Sequence, residues 1–207
     1  MPFSKTKLIS ALRGTGSGEL LHFYDQGDDN RLAIMDITED GWCHGMSVKW
    51  LEFKKQRGME SDAFWPWVAS DQAGPAFRFL MADQAIRGAI GNNTDTNEKT
   101  IAHLRRKGPL AYLTDHAQWN SNPQPEALAG DVVNTPGNFA RIGMYYVGGG
   151  GHAIAAVIKG SNVWFMDPNA GEFKVPKNNF TKFFKGFWKA RYGTDQLKSY
   201  YVEKYNG

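Results

Sequence analysis

The sequence predicts an α+β chain, with helices in the first two thirds and an antiparallel ribbon packed by a terminal helix in the last third. Three observations carry this expectation. A helix-period run begins at Asp40. The β-rich runs 153–158 and 163–167 flank the turn Lys159-Gly160-Ser161-Asn162. The aromatics Phe180, Phe183, Phe184, Phe187, Trp188 and Tyr192 recur at helical spacing. At 207 residues and 42% hydrophobic, the chain is long enough for one compact domain with a real core.

Residues 1–30 read as a flexible N-terminal leader and 31–207 as the folded domain. Gly14-Thr15-Gly16-Ser17-Gly18 is a linker, not a phosphate loop, because no Gly-Lys-Ser/Thr follows it and no strong strand precedes it. Gln26-Gly27-Asp28-Asp29-Asn30 is a polar turn. Asp40 is placed to cap the next helix, with Cys43, Met46, Val48, Trp50, Leu51 and Phe53 as apolar positions down one side. Residues 54–130 read as helical and irregular. Helical periodicity covers 76–90, a short helix over 98–107 stops at Gly108-Pro109, and Trp65-Pro66-Trp67 and Asn120-Ser121-Asn122-Pro123 are loops.

The last third changes character. Residues 140–147 form a strand, four glycines follow, and Gly160-Ser161 fits the Gly-X pattern of a two-residue hairpin turn. That turn sets a register: Lys159 faces Asn162, Ile154 faces Asp167, and His152 faces Asn169. Alternation puts all four of the latter on one face of the ribbon. Asp167 is then the diagonal neighbour of His152, about 7–8 Å away between backbones and within reach of an imidazole. Asn169, directly opposite His152, is the alternative orienting residue. The basic aromatic segment 180–192 reads as a helix packing on the sheet, in preference to one lying on an anionic membrane.

Function classes narrow from composition. A net charge of +3 falls short of a nucleic-acid signature. The single cysteine, Cys43, rules out an intrachain disulfide. No run is long and apolar enough for a membrane span, and the first residues lack the apolar block of a secretory signal. The five histidines show no ligand-like spacing with Cys43 and there is no His-Glu-x-x-His, so no metal or cofactor is expected.

The chemistry concentrates in three blocks: Gly41-Trp42-Cys43-His44-Gly45-Met46-Ser47, Gly151-His152-Ala153, and Phe165-Met166-Asp167-Pro168-Asn169. A thiol needs a base to become a thiolate near neutral pH, and the base needs a third group to orient it. A lone cysteine is more often a small buried hydrophobe. Here, however, Cys43 falls in the first turn of a helix, where free amides and the positive helix end favour a thiolate and where its own amide faces a developing oxyanion. His44 is a poor substitute base, because adjacent helical positions point in different directions. It reads as exposed or structural.

Together the three blocks resemble the YopT/AvrPphB family of papain-like cysteine proteases, known mainly as bacterial effectors delivered into host cells. The resemblance covers about residues 30 to 200, but its specificity lies in these blocks. It implies a papain-like fold, with Cys43 as nucleophile, His152 as base and then acid, and Asp167 as the orienting group. It also implies a protein or peptide substrate, an export chaperone or secretion machinery as partner, secretion without a cleavable signal peptide, and action in a target-cell cytoplasm. One departure stands out. Papain-like enzymes place Gln or Asn several residues before the nucleophile, whereas Asp36-Ile37-Thr38-Glu39-Asp40 holds no amide, leaving the Thr38 hydroxyl as the oxyanion donor. The alternatives are a papain-like cell-wall amidase, a transglutaminase or deamidase with the same triad, and a degenerate binding module.

Overall fold

The turn at Gly160-Ser161 forms and sets the register of the sheet. Gly160 has φ +58° and Ser161 stays at negative φ, as a Gly-X hairpin requires. It joins β4 (Gly151–Lys159) to β5 (Asn162–Asp167), pairing Lys159 with Asn162 and running to Ala155 opposite Met166. The computed structural model describes residues 5–6, 8–9, 18–29, 42–80, 93–119, 121–193 and 196–207. The other strands are β1 (Glu19–His22), β2 (Ala111–Gln118), β3 (Phe139–Tyr146), β6 (Gly171–Pro176) and β7 (Leu197–Asn206). All seven form one antiparallel sheet in the order β1-β6-β5-β4-β3-β7-β2.

Helices cover both faces. On one face, α4 (Pro125–Asn134) and α5 (Phe180–Arg191) bury Leu128, Ala129 and Val132 with Phe180, Phe183, Phe184 and Phe187. Phe165 of β5 meets all four of these phenylalanines edge-on. The terminal aromatic helix therefore packs on the sheet as its periodicity predicts. On the other face lie α1 (Cys43–Arg57), α2 (Phe64–Val68) and α3 (Asn93–Lys107).

Helix α1 is more deeply placed than one apolar side implies. Not only Met46, Trp50 and Leu51 but also His44, Ser47, Glu52 and Lys54 are buried. Such a helix sits between layers, and His44, Glu52 and Lys54 find polar partners inside. Residues 73–80, also helical, pass so close to Gly45 that a Cβ there would stand 3.4 Å from the Phe77 Cα. Further along, Lys54 Nζ pairs with Glu172 of β6 at 2.6 Å and donates to the carbonyls of Met59 and Ser61. Glu172 Oε2 also accepts the indole N–H groups of Trp50 at 2.9 Å and Trp65 at 3.0 Å. One carboxylate thus ties α1 and α2 to the sheet.

Three expectations need correction. The segment 1–30 is not a free leader throughout: Glu19–His22 is a strand paired with β6, and Leu8 is buried in the same core cluster as the α5 phenylalanines. Backbone pairing to an edge strand has no strong periodic signal in a four-residue stretch. Trp65-Pro66-Trp67 is helical, not a loop, because Pro66 sits in the first turn, where its missing N–H costs nothing. The region 54–130 also holds β2, an edge strand with most of its side chains exposed, so alternation marks no buried face. The proposed helix over 76–90 is helical as far as residue 80, and 81–90 lie outside the described residues.

Candidate active site

The candidate site lies where the two layers meet at one end of the sheet. Trp42 is the N-cap of α1, and its carbonyl accepts the first helical bond from Met46 at 2.9 Å. Cys43 is therefore the first helical residue, at the end where amides have no intrahelical acceptor. Across from it, His152 and Asp167 stand just beyond the last β4–β5 ladder pair. His152 Nε2 meets Asp167 Oδ1 at 2.9 Å, the contact that the hairpin register predicts. The Cys43 thiol lies beside the same imidazole and helps to raise its pKa. Both side chains are almost enclosed, Cys43 at 6% and His152 at 7% exposure.

Asp167 is fully buried and has three donors. Oδ1 accepts from His152 and from the Asn169 backbone amide at 2.7 Å, and Oδ2 accepts the Tyr192 hydroxyl at 2.5 Å. Burial alone would raise its pKa, but the charge of His152 and these hydrogen bonds hold it below the usual carboxylate range. For His152, burial works against the charged form. Asp167 outweighs it by charge and hydrogen bond, with Cys43 adding to the effect, and the imidazole is pushed up to about 10. It is thus an imidazolium at neutral pH. With Nε2 given to Asp167, Nδ1 is the nitrogen left for the thiol. Such an arrangement can hold a thiolate and later return a proton to a leaving group.

The remaining expectations fall out as follows. The Asn169 side chain does not orient His152: its Oδ1 accepts from Gln26 Nε2 at 2.7 Å, while its backbone steadies Asp167. Thr38 and Asp40 lie outside the described residues. His44 is buried and structural, not exposed. Its Nδ1 stands 3.3 Å from Arg141 Nη1, so Nδ1 accepts and Nε2 carries the proton toward Thr100 Oγ1 at 3.4 Å. Arg141 is in turn held by Glu203 of β7 and by the Tyr201 hydroxyl. Two participants were not legible as site residues: Tyr192, which reads as one more helix aromatic, and Gln26, which reads as part of a turn. Among the described residues, no group of three His, Cys, Asp or Glu side chains is arranged to hold a metal ion.

His44 supports a pH prediction. Burial, then the neighbouring charges of Arg141 and His103, lower it from 6.5 to about 3. The unfolded chain therefore binds a proton that the folded chain refuses. This contribution to stability is complete above pH 6.5 and is lost as pH falls toward 3. Substituting His44→Gln, which keeps an acceptor for Arg141 and a donor for Thr100, should flatten the acid limb of denaturant-measured stability between pH 6.5 and 3. Equal slopes for both proteins would contradict this account.

Residues 17–203 match the family described as Yersinia/Haemophilus virulence surface antigen, Peptidase_C58. Among curated proteins, the chain is similar to the cysteine protease avirulence protein AvrPphB of Pseudomonas savastanoi pv. phaseolicola, at 26% identity over 168 residues. That match takes in 76% of this chain but 61% of the relative's length. In three dimensions the chain is similar to the crystal structure of Pseudomonas avirulence protein AvrPphB, with TM-score 0.59 and 15% identity, over 81% of this chain and 94% of that one. It is also similar to PatoxP, a cysteine protease-like domain of the Photorhabdus asymbiotica toxin PaTox, with TM-score 0.54 and 12% identity, over 97% of this chain and 58% of that one. The fold is papain-like.

Proposed function

Because the chain belongs to the Peptidase_C58 family of cysteine proteases, we propose that it is a thiol peptidase effector that cleaves a protein of a target cell. Cys43 is its nucleophile, His152 its base and then acid, and Asp167 its orienting group. The observation that carries this reading is the single imidazole shared between Cys43 and the buried, triply held Asp167.

The reaction follows from those contacts. The Cys43 thiolate, paired with the protonated His152, attacks a substrate carbonyl to form a tetrahedral oxyanion. The Cys43 amide and the Thr38 hydroxyl stabilise that charge. His152 gives its proton to the departing amine, leaving a thioester. It then takes a proton from water, which attacks the thioester and releases the acid and the Cys43 thiolate, so that the thiolate–imidazolium pair is restored. Asp167 stays ionised throughout and keeps the imidazole facing Cys43. The protein reaches its target by secretion, with an export chaperone or secretion machinery as partner, and acts in the target-cell cytoplasm.

The test is to express wild type and Cys43→Ala in a eukaryotic cytosol and to sequence new protein N-termini. Wild type should produce discrete new termini. The variant should lose them by roughly 10⁴-fold or more, as when a nucleophile is removed from a hydrolase. Cys43-dependent incorporation of an amine into protein, with no new termini, would replace peptidase with transglutaminase. Harm confined to the bacterial periplasm would replace it with a cell-wall amidase.

A further inference from the structure

We propose that Gln26 is a positioning residue for the thiol–imidazole pair, a brace that sets the separation of Cys43 from His152. The inference rests on the peptidase reading above, since it concerns how that pair is held.

Gln26 opens a short 3₁₀ turn, Gln26–Asp28, and is buried at 6% exposure. Its Oε1 accepts the backbone N–H of Trp42, the residue before Cys43, at 2.7 Å. Its Nε2 donates to Asn169 Oδ1 at 2.7 Å, and its backbone N–H donates to the Pro168 carbonyl at 2.9 Å. Asn169 in turn donates its backbone N–H to Asp167 Oδ1, the same oxygen that receives His152 Nε2. One side chain therefore spans from the start of the nucleophile's helix to the residues that hold the imidazole.

The brace sits where the sheet does not tie the two strands to each other. His152 pairs with Met144 of β3 and Asp167 with Gly171 of β6, but the β4–β5 ladder ends at Ala155 opposite Met166. Helix α1 belongs to a different layer from the hairpin, and no backbone ladder joins the two. The amide is also chemically specific. Its carbonyl meets an N–H and its NH₂ meets a carbonyl oxygen, so a flipped amide would set donor against donor and acceptor against acceptor. A carboxylate of the same length would face Asn169 Oδ1 with an acceptor. From the opposite side, Arg191 Nε donates to the Asn169 carbonyl at 2.9 Å and its Nη2 lies 3.5 Å from Asp25, which caps the Gln26 turn. The Pro168-Asn169 corner is thus gripped by the Gln26 turn and by the end of α5. Sulfur-to-nitrogen distance governs thiolate formation steeply, and a shift of about 1 Å in a reacting pair can cost about 10²-fold.

The experiment reads Cys43 directly, without a substrate. The rate of alkylation by iodoacetamide is measured from pH 4 to 9 on the full chain, for wild type, Gln26→Met, Gln26→Glu, Asn169→Ala and the Gln26→Met/Asn169→Ala double variant. Gln26→Met keeps the length and the packing, so it separates lost hydrogen bonds from a lost fold. Wild type should alkylate rapidly at acidic pH, where an unfolded control is slow. Gln26→Met and Gln26→Glu should each lose about 10- to 100-fold of the rate near pH 5, with the acid limb displaced toward neutrality. The double variant should be no slower than the slower single, because both act along one path. If Gln26→Met lowers the melting temperature but leaves the alkylation profile on that of wild type, the brace is disproved and the peptidase reading stands. If wild-type Cys43 alkylates like the unfolded control, the peptidase reading fails and takes the brace with it.

Discussion

Asp167→Asn is expected to lower kcat/KM by about 10³–10⁴-fold with little change in KM, the scale seen when the orienting carboxylate of a hydrolase triad is replaced by its amide. The substitution preserves shape and removes charge. Three donors point at Asp167: His152 Nε2, the Asn169 amide and the Tyr192 hydroxyl. An amide offers one oxygen, and its NH₂ then confronts at least one of those donors. Without the carboxylate, burial at His152 loses its main opponent, and the pKa falls from about 10. The imidazolium that faces Cys43 at neutral pH is then held less firmly.

Stability changes with pH in a defined way. His152 is raised in the folded state, so its contribution is complete below pH 6.5 and disappears as pH rises through about 10. Asp167 is depressed, so its contribution is present above about pH 3.8 and is lost as pH falls below that. The stability difference between wild type and Asp167→Asn should therefore be widest between about pH 4 and 6.5 and should close toward pH 10. Denaturant titrations at pH 5, 7 and 10 measure it. A gap that widened toward pH 10 would refute the ion-pair account, and a kcat/KM within tenfold of wild type would refute the orienting role.

Glu172→Ala should cost about 3–5 kcal/mol of unfolding free energy, the range for removing one partner of a buried ion pair. The loss is compound. Lys54, 2% exposed, is left with the Met59 and Ser61 carbonyls but no counter-charge, and the indole N–H groups of Trp50 and Trp65 lose their acceptor. Glu172→Gln, which keeps an oxygen for the indoles, should cost less. Adding Lys54→Met to Glu172→Gln should recover part of that loss, because the unpaired ammonium is gone. Chemical denaturation of the four proteins decides this, and a Glu172→Ala cost below about 1 kcal/mol would show that the pair adds nothing to the fold. The consequence reaches the site, since Lys54 and Trp50 belong to the helix that begins at Cys43.

What could be read in advance follows chain locality. The Gly160-Ser161 turn and strict alternation were enough to bring His152 to Asp167, because a two-residue turn leaves one register. The periodic phenylalanines were enough to lay α5 on the sheet. β7 carried no such signal: Arg141 reaches Glu203, and Lys204 Nζ donates to the Val132 carbonyl, so buried charges interrupt its apolar pattern. β2 escaped notice because, at the sheet edge, most of its side chains face water.

By itself, the sequence determined the α+β class, the thiol in the first turn of a helix, and the imidazole–carboxylate pair on one ribbon. Each is a consequence of backbone geometry over a few adjacent residues. Only the tertiary structure decided that Gln26 meets Trp42 and Asn169, that Tyr192 meets Asp167, and that Glu172 gathers Lys54 and two tryptophans. Most buried polar groups find a partner, but which one each finds depends on how separate layers pack, and neither propensity nor periodicity encodes that.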